Sequence, residues 1–225
     1  VTFFPLILGF ASEAAAGTVL SIASVGMVIG SLVMSAWGGP KPRIYGVFLG
    51  ALGLGVALAV VGLRPSFGLI AVAGFLGFLV IPIANGSSQA IWQAKVEPDV
   101  QGRVFAVRRL AAQITGPMAM IAVGPLIDRV FEPAMAEGGA LADSIGAVIG
   151  TGPGRGAALA MVLIGVATVA VTIVGALYRP LREVEADLPD WDEAEHASPV
   201  ASEPDDSPSD ESGAAEAREV VSELG

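Results

Sequence analysis

The polar side chains able to meet a solute lie inside stretches that are otherwise apolar. Thr18, Ser21, Ser24, Ser31 and Ser35 recur at three- and four-residue steps, or multiples of them, so on a helix they form a single stripe. In a second apolar stretch, Gln113 and Thr115 supply an amide and a hydroxyl, with Gln113 on the same helical face as Pro117, Met120 and Gly124. Hydroxyls and amides recognise and solvate a solute, but alone they do not break bonds. Two readings are open for the stripe: it lines a water-filled path or a sliding interface, or each hydroxyl bonds back to the carbonyl four residues earlier. Two are likewise open for Gln113, substrate contact or a structural helix-to-helix hydrogen bond.

The groups that drive covalent chemistry are missing from these stretches. The chain has no cysteine, which excludes disulfides, thiolate metal sites and a cysteine nucleophile, and its one histidine, His196, falls in an acidic C-terminal segment. Neither a catalytic triad nor a histidine-based metal site can be assembled, so no enzyme activity, cofactor or metal is expected. Nor does any of the apolar stretches hold a carboxylate, the usual carrier of proton coupling within a membrane. The glycine cluster GTGPGRG at Gly150 to Gly156 has Arg155 where a dinucleotide fingerprint needs its third glycine, and it reads as a flexible loop entering a helix.

The elements that must position these residues are five runs of 18 to 23 residues without Asp, Glu, Lys, Arg or His: Gly17 to Trp37, Ile44 to Leu63, Phe67 to Ala84, Leu110 to Ile127 and Gly156 to Tyr178. Each approaches the roughly 20 residues that a helix needs to cross about 30 Å of hydrocarbon. The chain is therefore expected to be an all-α, polytopic transmembrane bundle. Val1 to Phe10 is apolar but too short to span, and reads as the end of a sixth helix whose start is absent. Gly26 with Gly30, on the face opposite the hydroxyls, and Gly46 with Gly50 are expected packing positions that admit a neighbouring backbone. Gly116-Pro117 and Gly124-Pro125 are expected to bend the fourth run twice, because proline removes a ladder bond and crowds the preceding turn.

Charge placement sets the expected orientation. Lys41, Arg43, Lys95, Arg103, Arg108, Arg109, Arg179 and Arg182 fall on one side, while Arg64, Arg129 and Arg155 fall on the other, which puts the C-terminus in the cytoplasm of a plasma-membrane protein. On that path the segment from Asn85 to Arg109 is an inside loop, and Asp128 to Arg155 lies outside, with Asp128 and Arg129 as interfacial anchors. The net charge of −10 is unevenly spread: residues 1–182 carry 11 basic and 7 acidic side chains, residues 183–225 one basic and 15 acidic. Two parts follow, a transmembrane bundle over 1–182 and a cytoplasmic acidic tail over 183–225. The tail's proline and small polar residues bury too little apolar surface to order it, so it is expected to be disordered.

The strings WGGPKPRIYGV (Trp37 to Val47), NGSSQAIWQAKVEPDVQGRVFAVRRLAAQI (Asn85 to Ile114) and GPLIDRVFEPAM (Gly124 to Met135) resemble the C-terminal half of a major facilitator superfamily transporter. The branch they are most similar to is the macrolide-efflux-like drug:proton antiporters. The resemblance covers residues 1–182 and implies helices seven to twelve of a twelve-helix fold, with a central cavity open alternately to each side. It implies as partners the lipid bilayer, a six-helix N-terminal half missing from this chain, a small-molecule substrate and protons; no nucleic acid is expected. The family's cytoplasmic loop motif survives only as GGPKPR, Gly38 to Arg43, without its acid; Lys41 and Arg43 remain to meet acidic groups of the other half. Gly102-Arg103 resembles another family element, for which the resemblance implies docking of a cytoplasmic loop. The expected function is export of a small amphiphilic compound, a drug or macrolide-like antibiotic, by proton antiport. Export of a siderophore or other metabolite, and a non-transporting membrane interaction protein, stay open beside it.

Overall fold

A computed structural model describes residues 13–188, 190 and 191. The chain is all-α. Among the described residues, five helical segments are long and apolar enough to cross a membrane. Helix α1 is Glu13–Trp37, α2 Ile44–Leu63, α3 Phe67–Lys95 and α4 Pro98–Leu126. A π-helical turn, Ile127–Phe131, and the short α5 (Glu132–Met135) and α6 (Gly146–Ile149) lead to α7, Arg155–Leu177; short helices α8 (Arg179–Arg182) and α9 (Val184–Asp187) follow. Val1 to Phe10, read as the end of a further helix, and His196 with the rest of 192–225 lie outside the described residues.

The long helices pack in the order α1, α3, α2, α7, each against the next. Small residues make this possible. At the far end of α2, Gly62 meets the Ala158 carbonyl, while Gly165 of α7 meets the Ala59 backbone. The buried core gathers at one end of the bundle, where Val19, Val61, Ile70, Met135, Ile149 and Leu159 converge. Large apolar side chains elsewhere point outward: Leu32, Val72, Ile121 and Leu177 are all more than half exposed. In water such a surface would drive association; hydrocarbon surroundings satisfy it.

Helix ends follow local chemistry. Helix α1 stops at Trp37 because Gly38 and Gly39 take left-handed φ of 76° and 82°, and the Gly38 N–H returns to the Met34 carbonyl at 2.8 Å. Between Asn85 and Arg109 the expected inside loop is mostly helix. Helix α3 runs on to Lys95 and α4 begins at Pro98, leaving Val96 and Glu97 as the link. Charge marks where a helix leaves the hydrocarbon, not where its hydrogen bonds end. The break falls instead at Glu97, held extended by the proline that follows, with Pro98 opening the next helix.

Helix α4 buries none of its residues. Its α-helical pattern continues through Gly116-Pro117 and changes to the π turn just after Gly124-Pro125. Pro125 has no N–H to give the carbonyl four residues earlier, and widening the next turn relieves the crowding.

Candidate functional site

Helix α1 divides into two faces. Ala16, Val19, Ala23, Gly26 and Gly30 are buried, and the glycines lie against α3: a Cβ at Gly26 would overlap the Phe75 carbonyl, one at Gly30 the Leu79 carbonyl. Thr18, Ser21, Ser24, Ser31 and Ser35 line the exposed face. Thr18 donates to Ala14 O at 2.9 Å, Ser21 to Gly17 O at 2.9 Å, Ser24 to Leu20 O at 2.8 Å and Ser31 to Met27 O at 2.9 Å. The back-bonding reading therefore holds for these four hydroxyls. Those four donors are satisfied within the helix, while their oxygens keep acceptor capacity on an open face.

On α4, Gln113 is exposed and its side-chain amide makes no hydrogen bond to another described residue, while Thr115 donates to Ala111 O at 2.8 Å. A Cβ at Gly116 or Gly124 would meet nothing within 4 Å, and Pro117 and Pro125 are exposed beside them. Helices α1 and α4 share no extended contact, so the chain does not bring Gln113 to the hydroxyl stripe. Both are open faces of one bundle.

Several basic residues gather at the bundle end where α2 starts and α3 stops. The Arg108 guanidinium donates to Ser88 Oγ at 2.7 Å and lies 5.5 Å from the centre of the Trp92 ring, and with the Gln101 amide, which donates to Gln93 O at 3.2 Å, it ties the base of α4 to α3. Arg43 donates to Ala90 O at 3.0 Å. Lys41, Arg43 and Lys95 line a cavity of about 480 Å³ with Glu185 and Asp190. Arg103 and Arg109 are exposed. Next to this end, Gly46 presses on the Ser87 side chain and Gly50 on Ala84, which closes α2 onto α3.

At the opposite end, Asp128 and Arg129 are exposed on the π turn with no ion pair among the described residues. The engaged acid is Glu132, which the sequence reading did not single out. Its carboxylate accepts the N–H groups of Gly154 and Gly156, the latter at 2.8 Å, at the start of α7. Arg155, 5% exposed, donates to Ile149 O at 2.9 Å beside it. The available signal was a glutamate within GPLIDRVFEPAM and a glycine-rich helix start downstream, but nothing in the sequence pairs them. A larger opening of about 710 Å³ between α2 and α3 is an apolar groove lined by Leu52, Val56, Leu69, Val72, Leu76 and neighbours.

Over 116 residues, 50% of this chain, the sequence is 29% identical to Macrolide efflux protein A of Streptococcus pyogenes, covering 28% of that protein. It is 30% identical over 105 residues, 46% of the chain, to Macrolide efflux protein A of Enterococcus faecalis, covering 32% of it. It is also 30% identical over 116 residues to Multidrug efflux pump Tap of Mycolicibacterium fortuitum, covering 27%. The chain is similar to efflux proteins. These matches span about a third or less of the relatives' length, and they bear out the resemblance to macrolide-efflux proteins read from the residues. No family model and no solved structure matches the chain.

Proposed function

We propose that the chain is the C-terminal, six-helix half of a secondary active transporter that exports a small amphiphilic compound. Its similarity to two proteins named for macrolide efflux and one named for multidrug efflux carries this reading. The open polar face of α1, with Gln113 and Thr115 on the equally open α4, suits a path completed by an N-terminal half. In this reading the end bearing Lys41, Arg43 and Lys95 faces the cytoplasm, and the two halves rock about a central site as protons exchange for substrate. The chemistry is transport, without covalent change of the solute.

A second reading, a membrane interaction protein that does not transport, draws on the lack of a carboxylate within the five uncharged runs and on the acidity of residues 183–225. Energised efflux of a fluorescent amphiphile from cells making the complete transporter separates the two.

A further inference from the structure

The loop from Gly38 to Arg43 enters α2 with no acidic residue, and Arg43, at the N-cap position, makes no side-chain cap. A helix start leaves its first N–H groups unsatisfied and positively polarised, which draws a carboxylate. The one that arrives comes from 141 residues along the chain: Glu185 Oε2 accepts the Ile44 N–H at 3.1 Å. Ile44 is 7% exposed, so that amide has little access to water as a substitute.

Lys95, the last residue of α3, holds the same segment independently. Its Nζ donates to the Glu185 carbonyl at 2.9 Å and to the Leu188 carbonyl, and it pairs with Asp190 Oδ1 at 2.8 Å. The Lys95 side chain is only 13% exposed, while its partner Asp190 is half exposed and open to screening by salt. Arg43, bonded to Ala90 O, ties the loop to α3 at the same place.

We propose that this cationic end is a seat for an acidic peptide, and that the chain's own segment around Glu185 fills it as a strap. Glu185 supplies the helix cap that the Gly38–Arg43 loop lacks, and Lys95 clamps the strap's backbone. The strap joins the start of α2, the end of α3 and the segment after α7. If the transporter reading holds, any rearrangement at this end must carry the strap with it or release it.

The test uses the full chain in lipid nanodiscs. It reads hydrogen exchange of the Ile44 amide in the native protein, Glu185→Gln and Glu185→Ala, and trypsin cleavage after Lys95 in the native protein. The expected result is roughly tenfold faster exchange in Glu185→Ala, the scale set by losing a hydrogen bond to a charged group, with a smaller rise in Glu185→Gln, whose amide oxygen can still accept. Asp128→Asn, at the opposite end, leaves the exchange unchanged. Native protection of the Ile44 amide in Glu185→Ala overturns the proposal. Should the variants fail to fold, salt decides with the native protein: shortening the screening length from about 30 Å to about 3 Å should speed cleavage after Lys95, and indifference to salt overturns the strap. Neither readout depends on efflux, so a failure of the transporter reading leaves this test intact.

Discussion

Gly30 of α1 lies against the carbonyl of Leu79 in α3, with no room for even a Cβ between them. Gly26 repeats the contact against Phe75 one turn earlier. Because a membrane offers no hydrophobic drive between helices, such backbone approach is a main source of their association. Gly26→Leu and Gly30→Leu should each destabilise the bundle by about 1–3 kcal/mol or more, the usual cost of overpacking. Folded yield in detergent should fall for both, while Gly17→Leu, where a Cβ meets nothing within 4 Å, should behave as native. Equal yields for all three would show that this face does not pack.

Glu132 and the start of α7 make a second such test. With its carboxylate on the N–H groups of Gly154 and Gly156, Glu132→Ala should lower thermal stability by about 0.5–2 kcal/mol, the range for losing a helix cap. Asp128→Ala, four residues away and exposed, should leave the melting temperature unchanged. Equal effects for the two variants would contradict the assigned cap.

This chain holds no cysteine, so cysteines placed in it map the path once any in the rest of the transporter are replaced. Single cysteines at Ser21, Ser31 and Gln113 should react with a membrane-impermeant thiol reagent in the complete transporter, and substrate should slow the reaction. A cysteine at buried Ala23 should stay unreactive. Gln113→Ala should change substrate preference while keeping expression. Loss of expression instead would mark Gln113 as a structural residue.

The all-α fold was legible because an uncharged run of about 20 residues has few alternatives in hydrocarbon. The bounds of α2, Ile44–Leu63, coincide with its run for that reason. Between Asn85 and Arg109 the reading failed, since polar residues mark the membrane surface but do not break a helix; Glu97-Pro98 does. Spacing marked Gly26 and Gly30 as one face without saying which helix meets it. Glu132 and Glu185 stayed hidden for a related reason: each caps a helix far along the chain, and a lone carboxylate in a sequence carries no sign of its distant partner.

The export reading is tested most directly by efflux of a fluorescent amphiphile from energised cells that make the complete transporter, with and without a protonophore. The account predicts that cells expressing it clear the dye faster than cells lacking it, and that the protonophore abolishes the difference. Clearance no faster than in control cells across a panel of amphiphiles that includes a macrolide, from protein shown to be inserted and folded, would contradict it.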